Sequence, residues 1–282
     1  MKIVSTIQDL QTLLEAYRKE NKTIGLVPTM GALHQGHISL VEKCCKENNI
    51  CVVSIFVNPT QFNNQDDLIK YPRTLDEDVA LLEKTGCTIV FAPTANEMYP
   101  APDTRVFDFG DLERVMEGLH RPGHFNGVAQ IVSKLFDAVC PHRAYFGEKD
   151  FQQLAIIKAM TKQLNLGVEI QNCPIVREPN GLAMSSRNAR LTKEEREKAT
   201  IISQTLFESL KLQPQKTVAD LQLWIENQIN AEPLLNVEYV SVVDGDTLQP
   251  IASWQDTRCA VVCVAVFCGD VRLIDNFTIG RS

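Results

Sequence analysis

Residues 23–40, TIGLVPTMGALHQGHISL, give the strongest indication of the fold. The stretch opens with a short apolar run that is typical of a buried strand, and it continues with apolar residues at helical spacing, among them Ile38 and Leu40. Between the two, Gly31 and Gly36 let a ligand approach the main chain closely. The start of a helix offers unpaired N–H groups and a positive dipole end to anions. The stretch therefore predicts a strand, a turn that binds phosphate, and a helix.

The same alternation of strand and helix continues along the chain. Further strands are predicted at residues 51–58, 88–93, 143–147 and 168–176, with helical patterns between them. Unbroken apolar runs such as CVVSIFVN favour a parallel sheet that is covered on both faces. The pattern predicts an α/β fold with a doubly wound, Rossmann-like parallel sheet. Ligands bind such sheets at the carboxyl ends of the strands, so the residues after Met30, Val57, Phe146 and Val176 are expected to share one crevice.

The pattern changes after residue 176. A charged helix is predicted from residue 192, where Thr192 and Glu195 have the spacing of a capping box. A second helix over 218–229 and three strand-like runs, VEYVSVVD, AVVCVAVF and VRLIDNF, follow. We therefore expect a Rossmann-like domain over 1–176 and a smaller α+β domain over 177–282.

Composition narrows the class of protein. The chain has 282 residues and a formal net charge of -7, which argues against broad binding to nucleic acid or to a membrane. The first residues lack the pattern of a signal peptide, and no run of 18 apolar residues occurs, so a cytoplasmic protein is expected. The nine cysteines are odd in number and form no C-x-x-C pair, so we expect mostly buried thiols in a reducing compartment.

The turn HQGH carries the first candidate chemistry. His34 and His37 can add hydrogen-bond donors aimed at phosphate oxygens. A turn with two incidental histidines is one alternative, and a zinc pair is another, although no third ligand has suitable spacing. An H-x-G-H motif after a first strand resembles the signature of the adenylyl-transferring superfamily that includes class I aminoacyl-tRNA synthetases and nucleotidyltransferases.

The segment NGLAMSSRN, residues 180–188, is the second candidate. Met184, Ser185, Ser186 and Arg187 place two hydroxyls beside a guanidinium, which suits a triphosphate. A solvated hinge is the alternative. Together with HQGH, the segment resembles the mobile K-M-S-K-S loop of the same superfamily.

The segment YFGEKDFQQL, residues 145–154, is the third candidate. Gly147 permits a turn, Lys149 supplies a cation, and Asp150 can accept a hydrogen bond from a ribose or contact a metal. Gln152 and Gln153 can hydrogen-bond a substrate. A surface loop of mixed charge is the alternative.

The fourth candidate is SIFVNPTQF, residues 54–62. Asn58 and Gln61 follow the second strand, and their amides suit a small hydroxy acid because they both donate and accept. An ordinary turn is the alternative.

Six motifs in order, HQGH, FVNPTQF, YPRTLDEDV, RPGHFNGV, FGEKDFQQL and LAMSSRN, resemble the pantothenate synthetase (pantoate–β-alanine ligase) family. They cover most of residues 24–190. The resemblance implies that ATP activates (R)-pantoate as a pantoyl-adenylate, which β-alanine converts to pantothenate with release of pyrophosphate and AMP. It also implies Mg²⁺ and a homodimer. In this interpretation, the domain over 1–176 binds the nucleotide and pantoate, and the domain over 177–282 acts as a lid. A P-loop, a G-x-G-x-x-G fingerprint and a G-x-S-x-G elbow are missing from the sequence.

The resemblance also implies roles for individual residues. The catalytic group comprises His34, His37, Lys149 and Arg187, with His37 as the family's proton donor; its residue type supports at least a hydrogen bond. The ATP-binding residues implied are Met30, Gly31, Ala32, Leu33, His34, Gln35, Gly36, His37, Gly147, Glu148, Lys149, Asp150, Val176, Met184, Ser185, Ser186 and Arg187. Gln61, Gln153 and Asn58 are expected to bind pantoate and β-alanine, and Asp76 and Asp78 to approach Mg²⁺.

Two other functions fit parts of this pattern. A nucleotidyltransferase on the same scaffold would leave AMP in its product. A non-catalytic module that senses nucleotides would bind ATP without any pyrophosphate exchange that depends on an acid.

Overall fold

The computed structural model describes residues 1–280, which divide into two compact units. Unit 1 comprises Met1–Phe109, Arg121–Glu148 and Gln153–Pro174. Unit 2 comprises the described residues of the remaining segments, Gly110–His120, Lys149–Gln152 and the chain from Ile175 onward. Two short earlier segments, residues 110–120 and 149–152, thus pack with the C-terminal elements. The division into functional domains at residue 176 stays a prediction.

Unit 1 is built on a parallel sheet. Its six strands are β1 (Lys2–Val4), β2 (Ile24–Thr29), β3 (Ile50–Ile55), β4 (Ile89–Phe91), β5 (Arg143–Gly147) and β6 (Glu169–Cys173). They lie in the order β1-β4-β3-β2-β5-β6, and every neighbouring pair is parallel. The order reverses direction at β2, which lies between β3 and β5, and such a reversal is where doubly wound sheets bind ligands. The predicted Rossmann-like fold class is confirmed.

Helices cover this sheet. They are α1 (Ile7–Lys19), α2 (Gln35–Glu47), α3 (Gln65–Lys70), α4 (Leu75–Leu82), α5 (Ala95–Met98), α7 (His124–Val139) and most of α8 (Phe151–Gln163). The apolar stripe of α2, with Ile38, Val41 and Cys44, packs in one core cluster with Val27 and Val53 of the central strands. This packing fixes the start of α2 beside the carboxyl end of β2.

Unit 2 combines helices with an antiparallel sheet. Its elements are α6 (Met116–His120), α9 (Lys193–Lys198), α10 (Thr200–Leu212), α11 (Val218–Asn230), β7 (Leu235–Asp244), β8 (Ala260–Cys268) and β9 (Val271–Ile279). The strands lie in the order β7-β8-β9 and are antiparallel. One core cluster joins Leu206, Leu221 and Ile225 of the helices to Val264 and Leu273 of the sheet. The predicted smaller α+β region is confirmed.

Some boundaries differ from the predicted ones. Strand β1 was not predicted, because a three-residue strand with exposed Lys2 and Ile3 has no periodic signal. The strand predicted over 168–176 ends at Cys173, directly before Pro174, which has no N–H to donate. The long helix predicted from residue 192 is two helices, α9 and α10. At the break the Thr200 hydroxyl donates to the carbonyl of Glu197 at 2.7 Å, a local bond that competes with helix geometry.

The prediction of mostly buried thiols can be compared with the structure. All nine cysteine thiols are free, and six of them are buried. Across residues 1–280, none of the helices has the length and apolar character needed to cross a membrane.

Candidate active site

The turn between β2 and α2 is held by a buried carboxylate. Asp78, on α4, is 1% exposed and accepts hydrogen bonds from the N–H of Ala32 at 2.9 Å and of Leu33 at 2.7 Å. Burial raises the pKa of Asp78, although these two hydrogen bonds oppose the shift. Asp78 therefore supports the turn, and the N–H groups of Ala32 and Leu33 donate to its carboxylate.

The same turn requires glycine at position 31. Gly31 has φ +82° and Ala32 has φ +49°, both in the left-handed region. A Cβ on Gly31 would lie 3.0 Å from Oδ2 of Asp78 and 3.1 Å from Cγ2 of Ile55. A larger residue would be strained by its backbone conformation and would push against the carboxylate that holds the turn.

The two histidines cap helix α2 reciprocally. Nδ1 of His34 accepts from the N–H of Gly36 at 3.1 Å, and Nδ1 of His37 accepts from the N–H of His34 at 3.3 Å. Their rings lie 4.0 Å apart between centroids. A nitrogen that accepts a hydrogen bond carries no proton, so in each neutral ring the proton sits on Nε2. The arrangement thus presents two Nε2–H donors at the positive end of a helix.

The predicted acid-binding amides lie against the same turn. Nε2 of Gln61 is 3.0 Å from Sδ of Met30, and its Oε1 accepts from Nδ2 of Asn58 at 3.1 Å. A thioether is a weak acceptor, so a substrate oxygen can replace it at Nε2 of Gln61. Gln61 and Met30, both predicted site residues, are therefore brought together.

Asn58 has a supporting position. It is 1% exposed, its Nδ2 also donates to the carbonyl of Gly127 at 3.1 Å, and its Oδ1 accepts from the hydroxyls of Thr60 at 3.2 Å and Tyr99 at 2.8 Å. Desolvation raises the pKa of Tyr99. Because both ends of the Asn58 amide are engaged by the protein, this residue holds Gln61 in place.

A close backbone contact locks this part of unit 1. A Cβ on Gly127 of α7 would lie 2.4 Å from the carbonyl oxygen of Thr60 and 2.7 Å from Cα of Gln61. Nδ1 of His124 is 2.8 Å from the carbonyl oxygen of Gln61. The predicted site list missed Tyr99, His124 and Gly127; the motif RPGHFNGV contains the last two and was the available signal.

The segment after β5 divides between the two units. Gly147 ends β5, and Oε1 of Glu148 accepts from Nδ2 of Asn172 at 3.4 Å within unit 1. Lys149, in unit 2, has a side chain 17% exposed, and its Nζ is 3.9 Å from Oδ1 of Asp150. This weak pair leaves the ammonium suited to an anionic ligand.

The two consecutive glutamines have different environments. Gln152 is 4% exposed; its Nε2 donates to the carbonyls of Leu112 and Val115, and its Oε1 accepts from the N–H of Glu117. Both ends of its amide are thus hydrogen-bonded to the main chain. Gln153 is half-buried in unit 1, and its role as a substrate ligand stays a prediction.

In unit 2, the serine–arginine segment follows a hairpin-like turn. The N–H of Met184 donates to the carbonyl of Val176 at 3.0 Å, and Oγ of Ser185 accepts from the N–H of Arg187 at 3.3 Å. Ser185 therefore caps the 3-10 turn that starts at Ser186. Ser185, Ser186 and Arg187 are all half-buried.

The carboxylates predicted for Mg²⁺ do not form a metal cluster. Asp76 is exposed at the start of α4, while both oxygens of Asp78 accept hydrogen bonds from the turn. In the described part of the chain, no three His, Cys, Asp or Glu side chains are grouped so as to hold a metal ion.

Comparison with known proteins agrees with this architecture. Residues 2–278 match the family model described as Pantoate-beta-alanine ligase. The chain is 60% identical to the pantothenate synthetase of Bacteroides fragilis (strain YCH46) over 282 residues, which is 100% of each chain. It is 62% identical to that of Phocaeicola vulgatus over 277 residues, which is 98% of each.

Two solved structures share the fold along the chain. The crystal structure of pantothenate synthetase from Thermus thermophilus has a TM-score of 0.93 and 42% identity, with 100% of both chains covered. The pantoate-beta-alanine ligase from Francisella tularensis, complexed with Beta-gamma ATP and Beta-alanine, has a TM-score of 0.83 and 36% identity, with 98% of this chain and 97% of that chain covered. The family match along nearly the whole chain, together with these close relatives, establishes that the chain belongs to the pantoate-beta-alanine ligase family.

Proposed function

We propose that the chain joins (R)-pantoate to β-alanine at the expense of ATP, through a bound pantoyl-adenylate. The observation that carries this proposal is the reciprocal cap of α2, in which both histidines keep Nδ1 as an acceptor and present Nε2–H at the end of a helix. Family membership supports the reaction. The relative from Francisella tularensis was solved with an ATP compound and β-alanine, which supports both as substrates here.

In the first step, a carboxylate oxygen of pantoate attacks the α-phosphorus of ATP. A new P–O bond forms, the bond to the bridging oxygen breaks, and pyrophosphate leaves with the electron pair. The difficulty is to bring an anion against a polyanion, so catalysis consists mostly of positioning and charge stabilisation. We assign Nε2–H of His34 and His37 to phosphate oxygens at the turn.

Unit 2 supplies the remaining proposed phosphate ligands. Lys149 adds a cation that can follow the charge as it moves to the leaving pyrophosphate. Arg187 adds a planar set of donors, and the hydroxyls of Ser185 and Ser186 add neutral ones. The main chain at Gly147 and Val176 is proposed to line the adenosine, as the resemblance implies.

The acid is proposed to bind through amides. Gln61 would exchange its weak contact with Met30 for an oxygen of pantoate, while Asn58 keeps the Gln61 amide in position. Gln153 would hold another oxygen of the same substrate. In the second step the amine of β-alanine attacks the acyl carbon of the adenylate, the C–O bond to phosphate breaks, AMP leaves, and the amine loses a proton.

Mg²⁺ is proposed to accompany ATP, as is usual for an ion that keeps its waters and binds through phosphates and few carboxylates. The described residues do not fit a carboxylate cage for it, because Asp78 is committed to the turn. We therefore assign no step to Asp76 or Asp78. The homodimer implied by the resemblance also stays a proposal, which analytical ultracentrifugation of the purified chain would check.

Exchange of labelled pyrophosphate into ATP tests the proposal. We expect exchange only when pantoate is present, and equal amounts of AMP and pantothenate once β-alanine is added. A product that retains AMP would identify a nucleotidyltransferase instead. Binding of ATP without exchange that depends on pantoate would identify a nucleotide-sensing module.

A further inference from the structure

Strand β9 carries two adjacent buried polar residues in an otherwise largely apolar run. Asp275 and Asn276 are each 4% exposed. Burial of a carboxylate and of an amide is unfavourable unless each has hydrogen-bond partners. The partners of Asp275 and Asn276 therefore indicate the role of each residue. Successive side chains of a strand point to opposite faces of the sheet, so the two residues reach different neighbours.

Asn276 holds the segment that carries Lys149. Its Nδ2 donates to the carbonyl oxygen of Lys149 at 2.9 Å. Lys149 lies in the short 3-10 turn Glu148–Asp150. The ammonium of Lys149 is the proposed ligand of phosphate. The bond from Asn276 therefore fixes the main chain from which that ammonium extends.

The other end of the same segment is also tied to β9. Gln152 accepts from the N–H of Glu117, and the Glu117 carboxylate accepts two hydrogen bonds from Arg272, at 2.7 and 2.8 Å. Arg272 lies four residues before Asn276 and hence on the same face of the sheet. One face of β9 thus anchors Lys149–Gln152 at its first and at its last residue.

Asp275 holds the hairpin that leads to the serine–arginine segment. Its two oxygens accept from Nη1 and Nη2 of Arg177 at 2.6 and 2.9 Å, a bidentate pair. Nη1 of Arg177 also donates to the carbonyl of Gly181 at 3.2 Å, and Arg177 pairs with Ala183 in an isolated antiparallel bridge. The guanidinium therefore ties both arms of the hairpin to β9, directly before Ser185.

We infer that Asp275 and Asn276 are positioning residues of the ligase, which set Ser185–Arg187 and Lys149, respectively, through contacts from one strand. This inference rests on the proposed function, since those residues are its phosphate ligands. Neither β9 residue touches substrate in the inferred role. Each acts by holding a main-chain segment, and small misplacements of a catalytic group are costly in rate.

The test compares Asn276→Ala with Lys149→Ala in the full-length chain, by pyrophosphate exchange with ATP and pantoate. We expect Asn276→Ala to lower kcat about 10-fold with the KM for pantoate nearly unchanged. In the Lys149→Ala background the same change should lower kcat less than about twofold, because the group that it positions is already absent. Asn276→Leu fills the same space without the donor and should behave like Asn276→Ala.

A matched control is Asn236→Ala, the same substitution at an exposed position of the same sheet, which should leave exchange unchanged. For the second residue, Asp275→Asn should lower kcat about 10-fold alone, and by less than about twofold in a background that carries Ser185→Ala, Ser186→Ala and Arg187→Ala. Losses that multiply in these combined variants would overturn the inference, since the β9 residues would then act independently of the phosphate ligands. Failure of the unsubstituted chain to catalyse exchange that depends on pantoate would overturn the proposed function instead.

Discussion

The turn at residues 30–37 and the segment at residues 176–190 are both proposed to bind phosphate, yet they are held in different ways. In the turn, the cap is made by His34, Gly36 and His37 within four positions of one another, and Asp78 supports the turn from a distant position. The later segment depends on Arg177 and Asp275, which are 98 positions apart. The geometry of the turn is therefore set mostly by neighbouring residues, and that of the later segment depends on a residue far away in the sequence.

The later segment is also tied along its length. Nδ2 of Asn188 donates to Oε1 of Glu178 at 2.9 Å and to the carbonyl of Ala183 at 3.0 Å, while Arg196 makes two hydrogen bonds to the Glu178 carboxylate. Its sequence resembles a mobile loop, but these bonds hold both of its flanks. A comparison of the two regions therefore separates loss of a phosphate ligand from loss of the support behind it.

The largest effect is expected at the turn. His37→Ala removes a donor that is proposed to stabilise developing charge, and it should lower adenylate formation by about 10²–10³. Pyrophosphate exchange with pantoate measures the loss. His142→Gln is the matched control, because His142 binds the N–H of Ile24 at the opposite end of β2. A His37→Ala variant with near-normal exchange and intact fold would show that the cap has only a structural role.

A smaller effect, on the free energy of unfolding, is expected when the pair that holds the later segment, Arg177 and Asp275, is broken. Arg177→Ala leaves the Asp275 carboxylate buried without its partner, so the free energy of unfolding should fall by about 3 kcal/mol. Urea unfolding measures this, and hydrogen exchange should quicken at residues 178–188 while residues 30–37 keep their protection. The double variant Arg177→Met with Asp275→Leu should lose less. Equal losses in the single and double variants would mean that the pair is not the support.

The next largest effect is expected at Asp78, and it tests whether this residue supports the turn or binds a metal. Asp78→Ala leaves the N–H groups of Ala32 and Leu33 without their acceptor, and the free energy of unfolding should fall by about 2 kcal/mol. Exchange activity should fall with it, while the Mg²⁺ concentration that gives half-maximal activity should stay the same. A large rise in that concentration would return Asp78 to the role of a metal ligand. Asp76→Ala, at an exposed position on the same helix, is the control.

The smallest expected effect is the pH dependence of stability to which the Asp78 carboxylate contributes. Burial raises the pKa of Asp78 above its usual 3.8, so the folded chain binds this proton more tightly than the unfolded chain. The Asp78 contribution should therefore favour folding increasingly as pH falls from neutral through the raised pKa toward 3.8. Compared with Asp78→Asn, the unsubstituted chain should gain relative stability as the pH is lowered from neutral in urea unfolding. A relative loss over that range would contradict the direction of the shift.

Prediction from sequence succeeded where the signal is local. The apolar run of β2, the glycines of the turn and the two histidines lie within one short stretch, so periodicity and turn chemistry were enough to predict a strand, a turn and a helix there. The resemblance implied that Asp78 approaches Mg²⁺, and its support of the turn was not predicted. Its hydrogen bonds to residues 45 and 46 positions earlier depend on how α4 packs, which the sequence pattern does not contain.

The supports of the later segment were missed for the same reason. Arg177 lies in a polar, turn-rich stretch that is typical of a solvated hinge, and its partner is in the last strand. One signal was present: Asp275 falls on the same alternating face as Leu273 and Ile279, where an apolar residue is expected. A charge at such a position indicates a buried pair, but only the folded chain identifies the partner.

The close contact between Gly127 and the backbone at Thr60 bears on attempts to change the acid that the enzyme accepts. Helix α7 and the turn Pro59–Gln61 meet main chain against main chain at Gly127, so the turn cannot move toward α7 at this point to make room. At the proposed acid site, room for a bulkier acyl group would come from shortening side chains such as those of Gln61 or Met30. Libraries for new substrates should therefore vary those side chains and keep position 127 as glycine.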